Sequence, residues 1–234
     1  MLWQKLIGGD SGSSSLPLEF VGGAVLTASS TSTPSFSLTS LAGGVSSSPS
    51  AGDIVIVAVS FFDNTDRDIT CTTTGYTELA DLYANGSADT QMAVYYKVLT
   101  TAETSVAFNT VSAPVTTRCA IHVWRNPNTI TPLDVTSTTA TSTTSAASNA
   151  PSITTVTNNA VVIAFGSAVS AGGGFTTLTA PSGMANFFQN SSTTAGAAVA
   201  SAIVSTAGAY DPAAFGGGAP SGTFCAVTVA LRPQ

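Results

Sequence analysis

The chain is 234 residues long, 44% apolar and only 8% charged, with a formal net charge of −6 and a mean hydropathy of +0.35. That apolar content supports a core and argues against disorder, which needs low hydrophobicity, while six basic side chains without a cluster exclude a phosphate-neutralising, nucleic-acid-binding surface. The longest apolar runs, residues 54–62 and 160–165, are at most about half of the roughly 20 residues that a membrane helix needs, so no membrane insertion is expected.

Residues 1–7 (MLWQKLI) form a short amphipathic segment, followed by the Gly/Ser stretch 8–15. This start lacks the long apolar core and small-residue cleavage site of a signal peptide. Residues 1–17 are expected to act as a docking arm, with Trp3, Leu6 and Ile7 anchoring it to a neighbouring subunit. Gly9-Asp10-Ser11-Gly12 has the spelling of a trypsin-like nucleophile motif. Such a serine needs a histidine base positioned by a scaffold. The chain has one histidine, His122, flanked by Ile121 and Val123 in an apolar strand. No catalytic residue is expected.

From residue 18 the pattern is β. Residues 20–27 and 35–41 alternate in part, broken by Gly22-Gly23 and Pro34. Residues 54–62 are apolar on both alternating faces, the pattern of a strand buried on both sides. Residues 76–84 and 92–99 flank Asn85-Gly86, a hairpin signal. Residues 105–109 and 118–125 complete the set. Residues 129–157 are nearly all Ser, Thr and Ala; β-branched Thr favours outer strands over a linker, with Val135 and residues 153–156 facing the core. No run of ten or more residues has a helical period, and Gly and Pro recur between short strands, as in sandwiches and barrels.

The chain then repeats itself. Residues 51–127 pair with 158–234: residues 53–56 lie over 160–163, Gly75 over Gly183, Phe108 over Phe215, Cys119-Ala120 over Cys225-Ala226 and Pro127 over Pro233, at offsets of 106 to 108. On that alignment His122 lies over Thr228. The expected fold is all-β: a single jelly-roll-like β-sandwich spanning residues 18–234, built by internal duplication. A unit of one copy would bury little core alone and would leave bare sheet edges.

The remaining candidate chemistry is sparse. Asp63, Asp66 and Asp68, with Asn64 between them, offer oxygen ligands for calcium, although the run lacks the glycine and distal glutamate of an EF-hand loop and contains Arg67. A solvated loop tip is the simpler reading, and no metal or other cofactor is expected. Cys71, Cys119 and Cys225 are odd in number, so they cannot all pair; free core thiols are expected, and no C-x-x-C supports zinc. Tyr76, Tyr83, Tyr95, Tyr96 and Trp124 suit either core packing or a sugar-stacking platform. Asn85 and Asn190 match the glycosylation sequon, a coincidence if the protein is, as expected, not secreted.

The segments GDIVIV at 52–57, GYTEL at 75–79, VYYKV at 94–98, ETSVAF at 103–108 and VTVALRP at 227–233 resemble β-sandwich proteins encoded among the structural genes of tailed bacteriophages and prophages. The resemblance covers about residues 50–234 and carries no catalytic signature. It implies a virion component (tail, fibre or head-surface protein) assembled in the host cytoplasm, with other virion proteins and copies of itself as partners, in a trimer or ring. The competing expectation is a carbohydrate- or receptor-binding module recognising a host-surface glycan.

Overall fold

The structure is a computed structural model that describes residues 16–29, 31–86, 88–112, 116–145, 147–170, 172–219 and 221–234. Its first half holds eight strands: β1 (Glu19–Ser29), β2 (Ser35–Ser37), β3 (Ile54–Phe61), β4 (Thr70–Cys71), β5 (Thr77–Ala84), β6 (Thr90–Val98), β7 (Ser105–Asn109) and β8 (Thr116–Arg125). The second half holds nine: β9 (Leu133–Ser142), β10 (Ile153–Thr154), β11 (Ala160–Val169), β12 (Thr176–Thr179), β13 (Ala185–Ser191), β14 (Ala195–Val204), β15 (Ala209–Tyr210), β16 (Gly216–Gly218) and β17 (Thr223–Leu231). No helix occurs among the described residues. The all-β expectation holds, and the two segments around Asn85-Gly86 are the antiparallel neighbours β5 and β6.

Each half builds one large sheet from its own strands. The orders are β1-β8-β3-β6-β5 and β13-β14-β11-β17-β9. Counted from the start of each half, the first sheet places the first, eighth, third, sixth and fifth strands side by side and the second the first, ninth, third, sixth and fifth, one place later because β15 and β16 stand where the first half has the single strand β7. The covering strands follow the same scheme. In the first half β2 and β4 flank β7, whereas in the second β10 pairs with β15 and β12 with β16. The break between β15 and β16 contains Asp211-Pro212; proline lacks the N–H that a continuous strand would donate there.

The layers stack four deep. One face of the first large sheet (Val55, Val57, Val59, Cys119, Ile121, Val123) closes on Phe36, Leu38, Val106 and Phe108 of its covering layer. The outer face of the second large sheet closes on Leu178, Phe215 and Phe175, and on Ile153 from β10. The two remaining faces meet as a seam: Ile54, Ile56, Ala58, Met92 and Val94 against Val161, Ile163, Phe165, Val199 and Val227. β1 lies over β13, β8 over β14, β6 over β17 and β5 over β9. Strands of unlike position therefore face each other, as across a twofold axis. Burial on both faces explains why β3 and β11 are buried at every residue and apolar on both parities.

Strand register gives the correspondence between the two large sheets. Ile54 pairs with Trp124 and Val161 with Leu231, while Ile56 pairs with His122 and Ile163 with Val229. The central strands thus match at a constant offset of 107, and His122 is the counterpart of Val229, where the sequence alignment set it over Thr228. The same step separates the cysteines. Cys119 pairs with Val59 and faces the outer core, whereas Cys225 pairs with Ser167 and faces the seam. A shift of one residue moves a strand side chain to the other face of its sheet, so the two cysteines are not equivalent.

The stretch 129–157 forms β9 and β10, as the outer-strand reading held, with Val135 partly buried and Ile153 buried. Thr154 and Val156 depart from that reading. Thr154 takes the outward face of β10 and is exposed. Val156 is 61% exposed, because its amide turns toward the Asp134 carboxylate (2.6 Å) at the end of the molecule.

Candidate functional site

The densest polar and aromatic grouping lies in the seam. His122, central in β8, is fully buried. Phe20, Phe188, Trp124 and Phe165 surround it at centroid distances of 5.0, 6.0, 6.4 and 6.5 Å. Its Nε2–H donates to the Asn186 carbonyl at 2.9 Å, and its Nδ1 is buried without a partner. Burial lowers its pKa to about 3 against the weaker opposing effect of the Asn186 bond. The imidazole is therefore neutral and serves as packing and as a hydrogen bond between the halves.

Backbone features hold this cluster together. Gly23 on β1 is required by close approach: a Cβ there would sit 2.7 Å from the Phe188 ring and 2.9 Å from His122 Cδ2. Asn186 has φ +48° and donates through Nδ2 to Ser201 Oγ at 3.0 Å. Asparagine tolerates that left-handed conformation better than most residues. Sequence reasoning missed Asn186, because a strained asparagine has no pattern in one dimension.

Beside the cluster is a cavity of about 250 Å³ lined by Trp124, Gly183, Asn186, Ser201 and Ile203. Register explains it. Ile163 pairs with Ser201 where Ile56 pairs with Tyr96, so a hydroxymethyl group occupies the place that a whole phenol fills across the pseudo-axis.

A second cavity, about 440 Å³, lies where the start and end of the described chain converge, lined by Pro17, Val156, Asn158, Asn159, Pro233 and Gln234. Three ion pairs brace this end, one of them the 3.7 Å contact of Arg125 with Glu19. Asp53 accepts from Arg125 Nε at 2.9 Å and Nη2 at 3.2 Å, and Asp134 accepts from Arg232 Nε at 3.3 Å. Both carboxylates are buried, and Asp134 also caps the amides of Val156 and Thr157. Arg125 and Arg232 are register counterparts, but Asp53 immediately precedes β3 whereas Asp134 lies in β9, which is why alignment of the halves does not reveal the pairs.

The acidic run lies at the opposite end. Asp63 forms an ion pair with Arg67, and the buried Gln91 fastens the loop by accepting from Arg67 N at 2.9 Å and donating to the Thr65 carbonyl. Thr65, Asp66, Arg67, Asp68, Val111 and Ser112 line a cleft of about 270 Å³. Among the described residues, no group of three or more Asp, Glu, His or Cys side chains is arranged to hold a metal ion, so Asp63, Asp66 and Asp68 are not brought together as ligands. Asp81 is pushed up to about 6 by partial burial and by the carboxylates of Glu78, Asp66 and Asp68.

The aromatic candidates are distributed through the fold. Trp124 and Tyr95 are buried, the Tyr95 hydroxyl bonding Glu78 at 2.7 Å and the Ile69 carbonyl. Tyr76 bonds Glu103 at 3.2 Å beneath Lys97, Tyr83 donates to Asp89, and Tyr96 packs against the seam. Tyr76, Tyr83 and Tyr96 are half-buried.

The three cysteines are free. Burial pushes Cys71 up to about 11, Cys225 up to about 12 and Cys119 well above its usual value, which keeps them as thiols. Asn85 is exposed, whereas Asn190 is half-buried and accepts from Arg118 Nε at 3.1 Å. Trp3, Leu6, Ile7 and Ser11 lie outside the described residues.

No protein family model matches the chain, and no curated protein matches it.

Proposed function

We propose that the chain is a structural subunit of a tailed-phage particle, a tail, fibre or head-surface protein that docks through residues 1–17 and displays the remainder. The observation that carries this reading is the four-layer stack itself. Both large sheets are covered on both faces, and the ionisable groups inside are committed to bracing: Asp53 to Arg125, Asp134 to Arg232 and His122 to Asn186. A low-charge shell of Ser, Thr and Ala over such a stack suits packing among other subunits. The resemblance to phage β-sandwich proteins, carried by residues 50–234, supplies the particle.

The matching strand orders support a second part of the reading. The halves descend from one jelly-roll unit, duplicated and joined back to back, with a larger closed assembly formed by copies of the whole chain. The test is deletion of residues 1–15. The expected product melts cooperatively as a β protein and is missing from purified particles; normal incorporation refutes the docking role. Glycan recognition would register on a glycan array as binding lost on substitution of a surface residue, and a clear signal of that kind would replace the structural reading.

A further inference from the structure

Six large aliphatic side chains are exposed among the described residues: Leu16, Val45, Val111, Ile130, Val156 and Ile203, at 51% to 89% of their surface. Five of them share one end of the stack. Leu16 leads into β1. The Val45 amide bonds the Phe20 carbonyl, and Ile130 sits in the β8–β9 turn whose Asn128 amide bonds the Arg232 carbonyl. Val156 lines the larger cavity, and Ile203 lines the Trp124 cavity. Only Val111 lies at the acidic end, beside Asp66 and Asp68.

An end that gathers exposed aliphatics around two clefts is unusual for a surface with no partner. It is also the end from which residues 1–15 depart, since Pro17 forms a wall of the larger cavity. That segment carries one bulky apolar run, MLWQKLI, tethered by the eight residues 8–15. Extended, such a tether spans up to about 28 Å, far more than is needed to reach a cleft that begins at Pro17 of the same chain. It is long enough to cross to a neighbour.

We propose that the clefts at this end receive residues 1–7 of a second copy of the chain, with Trp3, Leu6 and Ile7 covering Val156, Ile203 and Ile130. This deepens the reading of residues 1–17 as a docking arm, and rests on it, by naming the surface that accepts the arm. Exchange of one segment between identical copies is a common, low-cost route to a closed assembly.

The test compares the association state of the full chain, the 1–15 deletion, Val156→Asp, Ile203→Asp and, as a control at the acidic end, Val111→Asp, by sedimentation velocity over a range of concentrations. The full chain and Val111→Asp are expected to self-associate. The deletion and the two Asp variants are expected to weaken association by about a hundredfold, as loss of buried apolar anchors does. The aspartates replace exposed side chains, so these variants remain folded and decide the matter even if the deletion misfolds. A synthetic peptide of residues 1–15 should bind the deletion variant and fail to bind its Val156→Asp form. A full chain that stays monomeric, or Asp variants that associate normally, overturns the inference. Particle incorporation is scored separately: self-association that is insensitive to the arm, with incorporation that requires it, sinks the copy-to-copy contact and leaves the particle reading standing.

Discussion

The two halves close corresponding outer layers with different divisions of volume. In the first, the large sheet contributes bulk (Val55, Val57, Val59, Ile121, Val123), and the covering layer meets it with Leu38, Val106 and two phenylalanines. In the second, the sheet contributes Ala164, Ala168, Ala198, Ala200 and Ala226 along its centre, with Phe187 on β13 and Phe224 on β17, and Phe175, Leu178 and Phe215 reach down to it from the covering layer. Gly166 completes the exchange: a Cβ there would meet the Phe215 ring at 2.9 Å. Cores tolerate such trades when total volume and patterning are kept. The halves differ in charge as well. Residues 18–127 carry nine acidic and four basic side chains, residues 128–234 only two and one. One strand order therefore supports two surfaces and two interiors, and the seam is where they must agree.

The strongest way to break that comparison is Phe165→Ala against Phe215→Ala. Each removes a fully buried ring and should cost about 3–5 kcal/mol. The seam variant is expected to lower a single urea transition of the whole chain, because both halves share that layer. The Phe215 variant should add an earlier transition of the second half. Identical profiles would mean that the halves do not differ in autonomy.

His122 sharpens the asymmetry of the seam, since its counterpart is Val229. Its folded pKa lies below its unfolded value, so the unfolded chain takes up the proton first. The neutral histidine's full contribution is present above about pH 6.5 and is lost as pH falls toward 3. The loss is on the order of 4 kcal/mol across that window. His122→Val should flatten this part of the stability–pH curve while carboxylate titration continues; an unchanged slope would remove His122 as its source.

Asp134→Ala is expected to cost about 3 kcal/mol, because it strands Arg232 and two capped amides at a buried site. Asp53→Ala should cost a similar amount, since Arg125 and the Ser50 amide lose their acceptor. Unequal losses by thermal unfolding would show that one half is braced more tightly. Gly23→Ala should cost about 1–3 kcal/mol by driving a methyl group into the Phe188 and His122 rings, whereas Gly172→Ala, with open space around it, should cost far less. The smallest effect is Asp63→Asn at the acidic loop, expected to be under about 1 kcal/mol for one ion pair near the surface.

The strands of the central sheets were legible because β3 and β11 are apolar on both parities, a pattern that only two-sided burial supports. β9 was legible from its threonines. The small outer strands were not: β4, β12 and β16 are two to four residues long, and no periodicity can develop over so few positions. Among the candidate sites, the sequence singled out His122 and Trp124 as individual residues, yet nothing in one dimension joins them to Asn186 and Phe188 more than sixty positions away.

Composition and patterning alone determined an all-β chain with a core rich enough to hold its sets of strands, because the hydrophobic period is a local property. Tertiary structure decided how many layers the sets make, which face each side chain takes and where exposed aliphatics collect. A one-residue step in register turns a core position into a seam position, and loops of unequal length conceal that step until the strands are seen hydrogen-bonded to one another.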